Sequence, residues 1–314
     1  MDQVVLITGG FGFLGRAVAV EYKKLGYRVV GIGHGKCDPS DAFKLGFDSW
    51  TDADVSLTSL MALQQGPFAI IVHCAGSSTV RASMAKPLEA FQRTVQCTLE
   101  LLEYLRTANP QAKLIYPSSA AVYGSHGDSP IHEGHSLNPI SPYGWHKKIV
   151  EDLLTWYSRF YTIDVAIIRL FSVYGPGLAK QLLWDASRKL RSPTAEPVVF
   201  SGTGDETRDW ISIEDAVNLV IAASRSSEKL LLVNGASGNR VTIKATLSML
   251  KKAMGINTKF AFNGLNREGD PLFYHADITK ALALGWKPRT ELYDGFKRYA
   301  KWQVTKITID QENQ

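Results

Sequence analysis

The feature that most constrains the fold is a glycine-rich turn between a short apolar run and a helical segment. Residues 4–8 (VVLIT) form a near-continuous apolar run, which is typical of a buried parallel strand. Glycines follow at three-residue intervals, and without side chains they let a backbone approach a phosphate at a helix N-terminus. The spacing therefore predicts a cradle for the pyrophosphate of a dinucleotide. Its predicted members are Gly9, Gly12, Phe13, Leu14 and Gly15.

The first half of the chain continues as alternating strand and helix patterns. Strand patterns recur at 27–32, 69–73, 113–117 and 164–170, and helical periodicity is clear at 87–108 and 141–161. This alternation predicts an α/β fold, a doubly wound parallel sheet of the Rossmann type, with ligands at the carboxyl ends of the strands.

The pattern changes after residue 171, where glycines and prolines separate shorter elements. We expect residues 1–171 to form a dinucleotide-binding domain. Residues 172–305 are expected to form mainly a smaller C-terminal α/β substrate-binding lobe, with some strands and helices returning to the first domain. Residues 306–314 read as a tail.

Composition excludes several classes of function. The 314 residues carry a formal net charge of +5 and contain no basic run interleaved with aromatics, so nucleic acid is a poor candidate partner. No apolar run approaches the roughly 18 residues of a membrane span. The three cysteines, Cys37, Cys74 and Cys97, lack metal-type spacing, so we expect no metal site. Reduced thiols and the absence of a leader-like start favour a cytoplasmic protein.

The second strand departs from the usual dinucleotide pattern. Its end normally carries an acid that binds the adenosine ribose of NAD, but Gly33 stands there. His34, Lys36 and Arg16 are nearby cations that could receive a 2′-phosphate. NADP is therefore favoured over NAD, with NAD bound without the acid as the alternative.

A candidate base lies in the helix predicted at 141–161. Tyr143 and Lys147 are four residues apart and share one helix face. An ordinary phenol has a pKa of about 10, and a nearby ammonium favours the phenolate. Ser118 and Ser119 end the strand upstream, where a hydroxyl can hydrogen-bond a substrate oxygen. This set predicts proton exchange beside a nicotinamide.

Taken together, these segments resemble the extended short-chain dehydrogenase/reductases, and most of all their nucleotide-sugar branch, typified by UDP-glucose 4-epimerase. The resemblance spans nearly the whole chain. It is carried by TGGxGxxG at 8–15, HCAG at 73–76, SSAAVYG at 118–124, YxxxK at 143–147, RLFSVYGPG at 169–177, GTGxxxRDW at 202–210, REGD at 267–270 and GWKP at 285–288.

The resemblance implies roles for individual residues. It implies that Ser119, Tyr143 and Lys147 are catalytic. The implied cofactor contacts add His73, Ala75 and Gly76 to the glycine-rich turn, His34 and Lys36, with Tyr143 and Lys147 also touching the cofactor. The implied contacts to a nucleotide-diphosphate sugar are Ser78, Ser119, Ser172, Arg208, Arg267 and Tyr274. A bulky residue at Tyr274 is expected to disfavour N-acetylated sugars.

Two positions depart from the family pattern. Thr94 stands where an asparagine is usual, and Ser172 replaces the asparagine before Val-Tyr-Gly-Pro. The second departure weakens the expected contact with the substrate phosphates.

Three functions remain open from the sequence. Ala120 and Ala121 follow Ser119, so the acid and base of the family's dehydratases are missing. The main expectation is NAD(P)-dependent epimerisation at C4 of a UDP-sugar. The alternative is an NADPH-dependent reductase of a nucleotide 4-keto-6-deoxy sugar, and a minor one is a non-catalytic NADP-binding sensor. The helices at 87–108 and 141–161 are where this family commonly pairs, so a homodimer is expected.

Overall fold

The computed structural model describes residues 3–35, 39–77, 79–191, 196–265 and 272–312. Its strands are β1 (Val4–Thr8), β2 (Arg28–Gly33), β3 (Ser49–Asp52), β4 (Ile70–His73), β5 (Lys113–Ser119), β6 (Val165–Leu170), β7 (Ser172–Tyr174), β8 (Val198–Phe200), β9 (Thr207–Ser212), β10 (Leu230–Gly235), β11 (Arg240–Thr242) and β12 (Phe260–Phe262).

Its helices are α1 (Phe13–Lys24), α2 (Pro39–Lys44), α3 (Leu57–Ala62), α4 (Val80–Ala85), α5 (Pro87–Phe91), α6 (Cys97–Ala108), α7 (Pro142–Tyr161), α8 (Gln181–Arg191), α9 (Ile213–Ser224), α10 (Ile243–Ala253), α11 (Thr279–Ala283) and α12 (Leu292–Glu312). A π-helical turn (Gln92–Gln96) joins α5 to α6, and a 3-10 turn (Ala120–Val122) follows β5.

The central layer is a seven-stranded sheet in the order β10-β6-β5-β4-β1-β2-β3. Its neighbouring strands all pair in parallel. The innermost strands are buried on both faces, as their continuous apolar sequences predict. The predicted doubly wound parallel sheet is confirmed.

Helices cover both faces of the sheet and close one core on each. α1 and α9 pack on one face around Val18, Ala19 and Leu219. α3, α6 and α7 pack on the other around Leu60 and Leu154. Strand β10 and helix α9 follow residue 172 in the chain, yet β10 is an edge strand of the central sheet and α9 is one of the helices that cover it.

Most of the other elements after residue 171 build a smaller lobe at the carboxyl edge of the sheet. Strands β11, β9 and β7 form one small sheet, and β12 pairs with β8 in another. Helices α8, α10 and α12 pack together on a third core that includes Phe200, Trp210 and Phe296. Within the described residues, no helix combines the length and apolar character that crossing a membrane demands.

Candidate active site

A large cleft lies between the carboxyl edge of the seven-stranded sheet and the smaller lobe. Its volume is about 2060 Å³. The loops after β1, β2, β4 and β5 line one side, and α8 and β9 line the other. This is where ligands bind in open parallel sheets.

The glycine-rich turn forms one end of the cleft. Gly9 N–H donates to the Ile32 carbonyl, and Gly12 N–H donates to the Gly9 carbonyl, which folds the turn tightly. A Cβ on Gly9 would lie 2.7 Å from the Ala75 backbone nitrogen, so any side chain there would push the β1 and β4 loops apart. Helix α1 begins at this turn with no side-chain cap, which leaves its N-terminal amides open to an anion. The turn therefore fits a dinucleotide pyrophosphate.

Seven of the residues predicted to contact the cofactor lie at this end of the cleft. The following residues line the cleft: Gly9, Gly12, Phe13, Leu14, Gly15, Ala75 and Gly76.

His73 is different, because its imidazole is buried beneath the cleft rather than on its wall. Its Nδ1 lies 2.7 Å from the Thr8 hydroxyl, and its Nε2 lies 2.9 Å from the Thr98 hydroxyl. Burial, and secondarily Lys147, lowers the pKa of His73 to about 3, so the ring is neutral. Thr8 in turn accepts the Ala75 N–H, which makes the side chain of His73 a brace for the wall.

The end of β2 is shaped by aromatic rings. Gly33 has φ +155°, and a Cβ there would lie 3.3 Å from the Gly9 backbone and 3.4 Å from Trp50. Trp50 stacks on Phe11 with ring centroids 3.6 Å apart. The positive φ strains any side chain at this position, and its Cβ would pack tightly, so both effects disfavour the usual carboxylate.

Charged groups near β2 have partners other than those expected from the sequence. His34 lines the cleft, and its Nε2 lies 2.8 Å from a carboxylate oxygen of Asp54, which also lines the cleft. Arg16 donates to the Gly177 carbonyl in the loop after β7. Lys36 lies outside the described residues.

The first turn of α7 places Tyr143 beside the end of β5. Ser141 caps the helix by accepting the Gly144 N–H. A Cβ on Gly144 would lie 2.5 Å from the Ala121 carbonyl oxygen, so this glycine lets α7 pack directly on the 3-10 turn after Ser119. Tyr143, Ser119 and Lys147 all line the cleft.

Tyr143 is partly buried in the wall of the cleft. Burial raises its pKa, and a hydrogen bond with Ser119 acts in the opposite direction. Because the Ser119 hydroxyl lies beside the phenol, both groups can hydrogen-bond the same substrate oxygen.

Lys147 is buried one helical turn further on. Its Nζ donates to the Pro117 carbonyl at 2.9 Å and lies 4.4 Å from the centroid of the Tyr116 ring. Burial lowers the pKa of Lys147 to about 8. The Lys147 ammonium is directed at the end of strand β5, and its effect on the pKa of Tyr143 stays a prediction.

A buried ion pair supports the wall from behind. Glu151, one turn beyond Lys147, accepts from Arg169 at 2.7 Å, and both side chains are almost fully buried. Ser118 donates to the same carboxylate, and Arg169 also donates to the Tyr123 hydroxyl. This pair links α7, β5 and β6 beneath the catalytic candidates.

Of the predicted substrate contacts, Ser172, Arg208 and Tyr274 line the cleft on the side of the smaller lobe. The Tyr274 hydroxyl donates to the Ala120 carbonyl at 3.1 Å, and the Arg208 guanidinium lies 5.7 Å from the centre of its ring. Ser78 and Arg267 lie outside the described residues.

Helix α8 adds cleft-lining residues that sequence reasoning missed. Trp184, Arg188 and Lys189 on α8, and Lys180 just before it, line the cleft across from the sheet edge. Their signal in the sequence is a strongly amphipathic helix with basic residues in its last turn. These cations suit a phosphorylated ligand. In the described part of the chain, no group of three or more His, Cys, Asp or Glu side chains could hold a metal ion.

The departure at Thr94 is accommodated by the π-helical turn. The Thr94 side chain is buried, and its hydroxyl accepts the Ser77 N–H at 3.0 Å. Its carbonyl accepts the Thr98 hydroxyl at 2.6 Å. Thr94 therefore fixes the loop after β4 against α6.

Comparisons with known proteins agree with this geometry. The model of the NAD dependent epimerase/dehydratase family matches residues 5–232. A Methanocaldococcus jannaschii protein, provisionally assigned as a UDP-glucose 4-epimerase, is 27% identical over 95% of this chain and 98% of its own length. Arabidopsis thaliana UDP-glucuronate 4-epimerase 3 is 27% identical over 96% of this chain and 76% of its own length. The structure of Bacillus cereus UDP-glucuronic acid 4-epimerase, solved with UDP-glucuronic acid and NAD, matches with a TM-score of 0.84 at 26% identity, over 96% of this chain and 99% of that one.

Proposed function

The chain belongs to the NAD-dependent epimerase/dehydratase family, and on that premise we propose that it is a UDP-sugar 4-epimerase that retains its nicotinamide cofactor. The observation that carries the proposal is the shared wall of Ser119, Tyr143 and Lys147, which faces the same cleft as the glycine-rich turn. Relatives that act on UDP-glucose and UDP-glucuronate support the substrate class.

The chemistry follows from the proposed roles of these side chains. Tyr143 takes the proton from the sugar 4-hydroxyl, and Ser119 hydrogen-bonds the same oxygen as it becomes a carbonyl. A bound NAD, held by the glycine-rich turn, would supply the acceptor and donor of the hydride at C4. The 4-keto sugar then rotates in the cleft so that its other face is presented for reduction. Tyr143 returns the proton to the oxygen on C4, which gives the other epimer. Lys147 would contact the nicotinamide ribose from the same wall, with its ammonium held at the end of β5.

The turn after Ser119 supports epimerisation rather than elimination. Ala120 and Ala121 have no protonatable side chains, so this turn has neither the acid nor the base that would remove water from the sugar. The cations of α8, together with Arg208, suit the two phosphates of the nucleotide. Reduction of a 4-keto sugar would use the same wall, and the experiment below separates the two reactions.

For the cofactor, we infer NAD rather than the NADP that Gly33 favours in the sequence. The Bacillus cereus relative carries NAD. At the end of β2, the carboxylate of Asp54 holds His34 and would repel a 2′-phosphate. Arg16 is turned toward Gly177.

We further propose a homodimer formed by the helical faces of α5, α6 and α7. Leu88, Phe91, Trp145, Trp156 and Phe160 are large apolar side chains exposed on these helices. Exposed apolar side chains on neighbouring helices are typical of an interface. Light scattering should give twice the 34.6 kDa chain mass, and a monomer at micromolar concentration would exclude the interface.

The free thiols of Cys74 and Cys97 fit the proposed cytoplasmic location.

The test of the function is to purify the protein without added cofactor and identify any released nucleotide. The protein is then incubated with UDP-glucose, UDP-glucuronic acid and UDP-N-acetylglucosamine. An epimerase interconverts one of them with its C4 epimer, with NAD retained and none consumed. Stoichiometric consumption of NADPH with a 4-keto-6-deoxy sugar nucleotide would instead establish the reductase. Nucleotide binding with no turnover of any of these would leave a sensor.

A further inference from the structure

Lys147 is held by backbone and ring rather than by a carboxylate. The side chain is 7% exposed, and one N–H donates to the Pro117 carbonyl at 2.9 Å. Pro117 lies beyond Ile115, the last residue of β5 that pairs with β4. The ammonium also lies 4.4 Å from the centroid of the Tyr116 ring, which is within cation–π range.

Tyr116 is an unusual tyrosine, because its hydroxyl is not used. The side chain is fully buried in β5, and within the described residues the hydroxyl has no hydrogen-bond partner. Buried phenols normally find one. Its ring is inclined by 28° to that of His73, at 6.0 Å between centroids. The interaction that Tyr116 makes with the Lys147 ammonium is therefore through the face of its ring.

We propose that Tyr116 is a positioning residue for Lys147, and that its ring face and the Pro117 carbonyl hold the ammonium charged at the edge of the cofactor cleft. The inference rests on the proposed function, because it assigns Lys147 a charged role beside the cofactor. Burial alone disfavours an ammonium, and the electron-rich ring offsets part of that cost without adding a second charge.

The other titratable groups around Lys147 are mostly neutral. Burial raises the pKa of the Cys74 and Cys97 thiols to about 12, and it lowers the pKa of His73 to about 3. The carboxylate of Glu151 is engaged by Arg169. Within the described residues, the titratable groups that face Lys147 are Cys74 after β4, Cys97 on α6, His73 on β4, Tyr116 on β5 and Glu151 on its own helix, and Tyr143 lies one turn earlier on that helix.

The test compares Tyr116→Leu, which removes the ring, with Tyr116→Phe, which keeps it. Without the ring, the pKa of Lys147 should fall, so its charge is lost at a lower pH. The alkaline limb of kcat/KM should then move to lower pH by about one unit, and the alkaline loss of NAD affinity should move with it. Tyr116→Phe should keep the wild-type profile, because the hydroxyl has no partner.

Tyr22→Leu is the matched control. Tyr22 is a fully buried tyrosine on α1, so the same truncation should lower stability without moving either pH profile. If Tyr116→Leu does not fold, Tyr116→Met fills much of the space without an aromatic face and should give the same shift. Profiles of the Leu or Met variant that coincide with wild type would overturn the inference.

The NAD titration keeps this test separate from the proposed reaction. It needs no turnover, so a protein that binds NAD but converts no UDP-sugar would refute the epimerase while the titration still decides the role of Tyr116. A shift in the binding profile supports the positioning role even in that case.

Discussion

The two ends of the cleft are built by opposite means. At the proposed catalytic end, Lys147 is buried and bonded to Pro117, and Glu151 behind it is buried against Arg169. The end beside β2, where we propose that the adenosine binds, is called the adenosine end. There the side chains of His34 and Asp54 are 61% and 80% exposed and pair with each other. Buried polar groups are costly unless paired, whereas exposed pairs are screened by water. The catalytic end is therefore fixed by its surroundings, and the adenosine end can vary at little cost.

The sharpest way to break this comparison is Tyr143→Phe. Loss of the phenol removes the proposed base and should lower kcat by roughly 10²- to 10⁴-fold, the usual range for a positioned acid–base group. NAD affinity should stay within a few-fold of wild type, because the ring and Lys147 remain. Steady-state turnover and NAD titration measure the two effects.

Tyr157→Phe is the control for that variant. Tyr157 lies on the same helix, but its hydroxyl donates to Glu103 at 2.6 Å, away from the cleft. Its loss should leave kcat unchanged. Equal loss of activity in both variants would mean that the effect arises from α7 as a whole rather than from a base at Tyr143.

Glu151→Gln tests the support behind the wall. It leaves the buried Arg169 charge without its carboxylate, which typically costs about 3–5 kcal/mol of stability. Denaturant unfolding should show a large fall in the midpoint. Asp152→Asn removes the exposed partner of Lys148 on the same helix and should cost about 0.5 kcal/mol or less. Similar losses for both would show that burial does not distinguish them.

The fold class could be predicted because its signals are local. The apolar run of β1, the glycine-rich turn and the periodicity of α7 each predict their own element. β3 (Ser49–Asp52) was missed because a short edge strand has no continuous apolar run. The place of β10 beside β6 was not predicted in detail either, since pairing between distant segments leaves no trace in periodicity.

The candidate site could be predicted as a set of residues but not as a set of contacts. The order of the glycine-rich turn, the serine turn and the Tyr143–Lys147 pair, together with the family resemblance, identifies Ser119, Tyr143 and Lys147. Spacing is only one part of that pattern. The sequence cannot show that the Lys147 ammonium bonds to the Pro117 carbonyl. That contact depends on β5 extending beyond the point where its pairing with β4 ends. The helix predicted at 87–108 likewise contains a π-helical turn, which fixes Thr94 and which an apolar stripe does not reveal.

The smallest effect is expected at the adenosine end, from Asp54→Asn. The change removes a negative charge beside His34, so NADP should bind roughly two- to tenfold more tightly, and NAD should change less. Fluorescence titration at low and high salt measures both, and the gain should shrink with salt because the pair is exposed. Glu21→Gln, which removes an exposed acid paired with Lys24 at the far end of α1, should change neither affinity. Because the usual acid is absent at Gly33, Asp54 is the carboxylate that we expect to exclude the 2′-phosphate. If the wild type already prefers NADP, or if Asp54→Asn binds both cofactors as before, then the adenosine end selects its cofactor by shape rather than by charge.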